Sequence, residues 1–218
     1  MISIAIDGPS GSGKSTIAKF LAQKLNVLYL DTGAMYRACA LKAVKLGITD
    51  YTDEACESFI SNIDLKIEYE NGAQKTILDG EDVSSKIRQN EVSLMASRIS
   101  ALKTVRMKMV EMQRKVAQGL DVIMDGRDIG TYVIPNATYK FYITATSVVR
   151  AQRRHKELIE RGQNVDFNTL LAEIEERDYN DSHREFAPLK QADDAIYLDT
   201  SNMTIEEVLN FVLDKIKG

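Results

Sequence analysis

Eight consecutive residues, Gly8-Pro9-Ser10-Gly11-Ser12-Gly13-Lys14-Ser15, constrain this chain more than any other feature. They match G-x-x-x-x-G-K-[ST] at every required position. The apolar run Ile2–Ile6 before them reads as a buried strand, and Ile17–Leu25 after them as an amphipathic helix. Glycines in such a loop let the backbone wrap a polyphosphate and aim N–H groups at its oxygens. The helix N-terminus adds partial positive charge, Lys14 adds a full one, and the Ser15 hydroxyl is placed to ligate Mg²⁺. Gly8 through Thr16 are therefore the candidate cradle for a nucleoside triphosphate.

A look-alike can be set aside. Gly11-Ser12-Gly13, with Asp31 at the end of the next expected strand, imitates the dinucleotide fingerprint G-x-G-x-x-G with an acid about 20 residues on. The third glycine position is Thr16, however, and the residue after Gly13 is Lys14. A dinucleotide site needs a small residue for helix–strand contact and has no use for that lysine.

Alternating strand and helix signals run along the 218 residues. Val27–Asp31 reads as a buried strand ending in a carboxylate, and Ala34–Leu46 as a helix stopped by Gly47. Later strands are expected at Asp121–Met124, Lys140–Thr144 and Ala195–Leu198. Helices are expected at Ala101–Gln118 and Val148–Arg161, each closed by a glycine, and at Phe167–Tyr179. Leu102, Val105, Met109, Met112 and Val116 trace one helical face, a core stripe. Thr204-Ile205-Glu206-Glu207 is a capping box opening the last helix, whose buried side is expected to carry Ile205, Val208, Phe211, Val212 and Ile216. This order predicts an α/β fold, a doubly wound parallel sheet that binds ligands beyond its strand C-termini.

One segment breaks the pattern. Leu65–Glu70 and Lys75–Leu78 alternate around Asn71-Gly72 and are followed by Asp79-Gly80, a hairpin signature. Antiparallel hairpins do not belong inside a parallel core. Ile63 to about Gln89 therefore reads as an inserted lobe on the C-terminal rim of the sheet, where it could close over a substrate.

Composition narrows the setting. A hydrophobic content of 44% with 28% charged residues is that of an ordinary globule. The net charge of −4 lacks the basic excess of a general nucleic-acid or membrane-surface binder. No apolar run approaches membrane-span length, and the chain opens into a strand with no basic leader. The expectation is a cytoplasmic monomer with no nucleic-acid or membrane partner. Cys39 and Cys56 read as small buried hydrophobes in a reducing compartment, and His155 and His183, in charged segments far apart, carry no metal or triad pattern.

The arginines are the second informative feature. Arg37 follows the strand end Asp31-Thr32-Gly33, and Arg127 lies in Asp125-Gly126-Arg127-Asp128 after another strand. Arg150, Arg153 and Arg154 crowd one helix, Arg177 and Arg184 lie on or beyond the next, and Arg98 and Arg106 fall in the long helical region. Two phosphate-bearing reactants repel when brought within bonding distance, and guanidinium forks suit their neutralisation. Holding a triphosphate alone would not require this second set. Asp125 and Asp31 both end apolar strands beside the loop; Asp125 is preferred as the Mg²⁺ partner, with Asp31 its rival.

At these residues the chain resembles the bacterial-type cytidylate kinases, within the nucleoside monophosphate kinase group of P-loop kinases. The matching segments are IDGPSGSGKST, LDTGAMYR, LDGEDVS, DGRDIGT, the RAQRR helix and ERDYNDSHREFAPL, spread in family order over nearly the whole chain. The resemblance implies Mg²⁺-dependent transfer of the ATP γ-phosphoryl group to CMP or dCMP. It also implies a core (1–62, 90–149 and 166–218), an NMP-binding insertion at about 63–89 and a mobile lid at about 150–165. Carried over by position, it places Thr32, Tyr36 and Arg37 beside the acceptor phosphate, and Ser97, Arg106 and Asp128 at the cytosine. Arg177 and Asp181 would face the ribose, and Arg127 and Arg184 the phosphates. Arg150, Arg153 and Arg154 would act on the transferring group, with the key contact unassigned among them.

Two alternatives stand beside this reading. One is phosphorylation of another small acceptor, a different nucleotide or a sugar acid. The other is a nucleotide-dependent switch, which predicts an N-K-x-D segment that the sequence lacks.

Overall fold

The computed structural model describes residues 1–160 and 162–217. In chain order its strands are β1 (Ser3–Asp7), β2 (Leu28–Asp31), β3 (Leu65–Glu70), β4 (Ala73–Leu78), β5 (Glu81–Asp82), β6 (Val122–Gly126), β7 (Tyr139–Thr144) and β8 (Ile196–Asp199). Its helices are α1 (Lys14–Leu25), α2 (Thr32–Lys45), α3 (Asp53–Ser61), α4 (Asn90–Ile99), α5 (Lys103–Ala117), α6 (Ser147–Glu160), α7 (Phe167–His183) and α8 (Ile205–Lys217).

The central sheet is parallel, in the order β2-β6-β1-β7-β8. Alternation along its strands builds two cores. Ala5, Leu30, Val122 and Met124 face one side with α2, α3, α4 and α5, while Ile4, Ile6, Ile123, Phe141 and Ile143 face the other with α1 and α8. A strand buried on both faces needs apolar residues at consecutive positions, which is what Ile4-Ala5-Ile6 and Val122-Ile123-Met124 supply. Each such Ile or Leu contributes roughly 1.5–3 kcal/mol on burial. Among the described residues no helix is long and apolar enough to cross a membrane.

β3, β4 and β5 form a separate antiparallel sheet. Its turns are Asn71-Gly72 (φ 50° and 76°) and Asp79-Gly80 (φ 53° and 79°), pairs of left-handed residues whose twist matches that of the strands. α6 and α7 pack on each other through a small cluster of their own, Ala151, Leu158, Leu170 and Ile174.

Three expectations are corrected. The helix expected at Ala101–Gln118 forms as α5, but the helical region reaching back to Arg98 is not continuous with it: Arg98 lies on the separate α4, because the chain extends at Leu102 (φ −70°, ψ 129°). The carbonyl freed at the break, that of Ser100, accepts from buried Arg106 Nη1 at 3.0 Å. Ile205 is 56% exposed, although the capping box between Thr204 and Glu207 forms as expected. The helix expected to end at Tyr179 runs on to His183. Arg161, the expected last residue of the sixth helix, and Gly218 lie outside the described residues.

Candidate active site

β1 ends at Asp7 and the chain enters the loop at Gly8, whose φ is 151°. A Cβ at Gly8 would lie 1.9 Å from the carbonyl oxygen of Ile143 on β7, so glycine alone lets the loop leave the sheet here. Gly11 and Gly13 take φ of 76° and 88°, the left-handed region open to glycine at little cost. No side chain caps α1, which leaves its positive end to an anion. Lys14 is buried and donates to the Pro9 carbonyl at 2.9 Å. Burial first, and then the charge of Arg127, pushes its ammonium down to about 7. An anion beside it would reverse that shift.

The loop opens onto a cavity of about 310 Å³, lined on one side by Ser10, Gly11, Lys14 and Ser15. Across it stand Arg37 from α2, Arg106 from α5, Arg127 after β6, and Arg177 and Arg184 from α7 and its end. Three carboxylates hold four of these guanidiniums, and the fifth, Arg177, reaches back to the loop, its Nη1 donating to Ser10 Oγ at 3.3 Å. Asp31 pairs with Arg37 at 3.0 Å, Asp128 with Arg106 at 2.5 Å, and Asp181 accepts from Arg127 Nε at 2.8 Å. Arg184 sits between Asp128 and Asp181, at 3.8 and 3.7 Å. The cations outnumber their partners. Burial, then repulsion from Arg127, lowers Arg177 to about 10, and burial, then Arg106, lowers Arg184 to about 10. Tyr36 Oη, Arg37 Nε, Arg106 Nε, Arg177 Nε and Arg184 Nη2 are buried without hydrogen-bond partners. Donors gathered in this way in one cavity suit a polar, anionic ligand.

Asp125 separates itself from its rival. Ser15 Oγ donates to Asp125 Oδ2 at 2.5 Å and Tyr29 Oη to Oδ1 at 2.7 Å. Burial, then the charge of Asp31, raises Asp125 above the usual carboxylate range. A divalent cation would favour its ionised form, and a hydroxyl beside a carboxylate is a hard-oxygen set that fits Mg²⁺. Asp31 is instead committed to structure, accepting the Ala34 N–H at the start of α2 at 2.9 Å and pairing with Arg37.

Not every expected residue reaches the cavity. Ser97 is half-buried and absent from the lining, to which α4 contributes Ser93, Leu94 and Ala96; Ser100, just beyond it, also lines the cavity. The Thr32 hydroxyl lines the cavity but donates to the Asp125 carbonyl at 2.7 Å. Of the three arginines on α6, the structure brings Arg154 into the cavity, where it pairs with Glu157 at 2.9 Å. Arg150 is held by Asp178 and donates to the Ser10 carbonyl at 3.0 Å, bracing the loop from behind. Arg153 donates to the Thr200 carbonyl at 2.6 Å, at the end of β8. Residues 63–89 contribute nothing to the lining.

Two contributors escaped the sequence reading. Gln74, on β4, accepts the Asp31 N–H at 2.8 Å and so fastens the small sheet to the edge of β2. Asp7 accepts the N–H groups of Ile129 and Gly130 at 2.8 and 2.7 Å. A lone Gln in a hairpin carries no sequence signal. An acid ending a buried apolar strand does, as it did for Asp31 and Asp125.

The cytidylate kinase family model matches residues 4–218. A cytidylate kinase of Caldicellulosiruptor saccharolyticus is 53% identical over 213 residues, covering 98% of this chain and 94% of that relative. One from Clostridium botulinum is 48% identical over 216 residues, covering 99% and 98%. Among solved structures, a gluconokinase from Sinorhizobium meliloti is similar with a TM-score of 0.51 at 13% identity, covering 98% of this chain and 90% of that one, a likeness of fold. The family pattern thus runs through both walls of the cavity and the helices that carry them, and the chain belongs to the cytidylate kinase family.

Proposed function

We propose that this protein transfers the γ-phosphoryl group of ATP to CMP or dCMP, giving ADP and CDP or dCDP. The observation that carries this reading is the cavity itself, with a phosphate loop on one wall and an under-neutralised arginine cluster on the other. A protein that only held ATP would have no reason to bury the second wall's charge.

No side-chain nucleophile is required. A phosphate oxygen of CMP attacks the γ-phosphorus, a new P–O bond forms, and the bond to the β-bridging oxygen breaks with its electron pair leaving on ADP. Lys14 and Arg127 flank the position where negative charge spreads in the transfer, and Arg37 and Arg184 hold the acceptor anion. Mg²⁺, held by Ser15 and through water by Asp125, would supply charge neutralisation on the ATP phosphates. Asp128 accepts a hydrogen bond from the cytosine 4-amino group, where uracil presents a carbonyl that would repel it. Arg106 fixes that carboxylate in place. Arg177 and Asp181 face the sugar. Water is the competing acceptor, so segments 63–89 and 150–165 are proposed to close when both substrates are present.

ADP release measured with CMP, dCMP, UMP and AMP tests the reading. Acceleration by the cytidine nucleotides over the others supports it. A slow release of ADP that no acceptor changes would overturn it.

A further inference from the structure

We propose that Asp7 is a positioning residue that ties the acceptor-reading segment to the strand from which the phosphate loop departs; this rests on the function proposed above. Asp7 is the last residue of β1, paired in register with Gly126, the last residue of β6. From there the two chains diverge. One becomes the phosphate loop at Gly8, and the other supplies Arg127 and Asp128 and then winds into a single π-helical turn, Ile129–Val133. That turn has no side-chain cap of its own. The Asp128 carbonyl at its start accepts the N–H groups of Tyr132 and Val133 at 2.9 and 3.0 Å. Its first two N–H groups, those of Ile129 and Gly130, are closed across the sheet by the two oxygens of Asp7.

The arrangement is a helix cap delivered from a neighbouring strand. A buried carboxylate is costly, and Asp7 is 5% exposed and pushed up to about 7, chiefly by burial. A neutral residue would avoid that cost, but no neutral side chain of this length offers two acceptor oxygens to two consecutive N–H groups. Those N–H groups directly follow Asp128, so the pair of bonds fixes the backbone from which Arg127 and Asp128 reach into the cavity. Gly8, next along the chain, lies too close to the Ile143 carbonyl for any side chain. The Asp7 charge is felt by Lys14 on the donor side, but both of its hydrogen bonds go to the acceptor side.

Asp7→Asn tests this, because the amide leaves one oxygen acceptor and turns an N–H₂ group against the second backbone donor. Steady-state kinetics should show KM for CMP raised tenfold or more, KM for ATP changed less than threefold, and the CMP/UMP ratio of kcat/KM lowered. A merely structural role would lower the active fraction, and so apparent kcat, with both KM values unmoved; that result, or equal rises in both, overturns the proposal. If the variant does not fold, amide exchange in the wild-type protein decides. The Ile129 and Gly130 amides should exchange at least tenfold more slowly with CMP bound, and less than twofold more slowly with a non-hydrolysable ATP analogue. An equal response to both ligands, or none, refutes it. Absence of CMP-dependent ADP release by the wild-type protein would instead defeat the underlying function, so the two failures are distinguishable.

Discussion

The two walls of the cavity are built in opposite ways. The donor wall is consecutive sequence, Gly8 to Thr16, whose shape follows from three glycines at positive φ and the start of α1. The acceptor wall is drawn from β2, α2, α5, the β6 exit and α7, joined by buried and half-buried ion pairs among Asp31, Asp128, Asp181 and their arginines. A local motif suffices to hold a chain of phosphates, since every nucleotide presents the same oxygens. Reading one base requires groups from several directions, which a contiguous segment cannot supply.

The largest expected effect breaks the donor wall alone. Lys14→Ala should lower turnover by ~10³-fold or more, as charge clamps in phosphoryl transfer do. The variant should keep its fold, because burial first, and Arg127 next, disfavour the cation that the substitution removes. Near-normal turnover in the folded variant would end the loop's catalytic assignment.

Arg154→Ala and Arg153→Ala compare two arginines of one helix. Arg154, in the cavity, should cost about 10²-fold in kcat, in the range of one lost charge-stabilising donor. Arg153, bonded to Thr200, should leave kcat within a few-fold. Equal losses would show that the cavity lining does not decide which arginine acts.

Asp128→Asn probes the acceptor wall. The CMP/UMP ratio of kcat/KM should fall by about tenfold or more with KM for ATP little changed. It should also destabilise the protein, because Arg106, 1% exposed, loses its ionised partner. An unchanged ratio would remove Asp128 from base selection.

Gln74→Ala loosens the tie between the small sheet and Asp31, and should cost about 1 kcal/mol in stability by chemical denaturation. KM for CMP should rise a few-fold through Asp31 and Arg37. An effect on KM for ATP instead would mean the hairpin serves the donor wall.

The smallest effect concerns protons. With its pKa lowered to about 7, Lys14 is only partly protonated near pH 7, and phosphates beside it favour the charged form. ATP binding at that pH should therefore take up a fraction of a proton through Lys14. Calorimetry in buffers of different ionisation enthalpy measures it as the difference between wild type and Lys14→Met. No difference would show that the free lysine is already fully charged.

Legibility followed the same division. The loop, the Asn71-Gly72 turn and the capping box at Thr204 are short-range features, each fixed by residues within hydrogen-bonding reach along the chain. The break between α4 and α5 was not legible, because the Ser100 carbonyl it frees is satisfied by Arg106, six residues on and buried. Ile205 shows the converse, an apolar residue at the right helical spacing that finds no neighbour to cover it. Thr32, Tyr36, Arg37, Arg106, Asp128 and Arg184 line one cavity, while Ser97, Arg150 and Arg153 lie outside its lining.

By itself the sequence determined the glycine-rich loop and its shape, the parallel sheet and the family, because glycine conformation, strand hydrophobicity and motif order are properties of neighbours in the chain. Tertiary structure alone decided which carboxylate meets Ser15, which arginine of α6 enters the cavity, and that Asp7 closes a turn more than a hundred residues away. Those choices depend on which charges share a desolvated space, and that is known only once the sheet has brought its strand ends together.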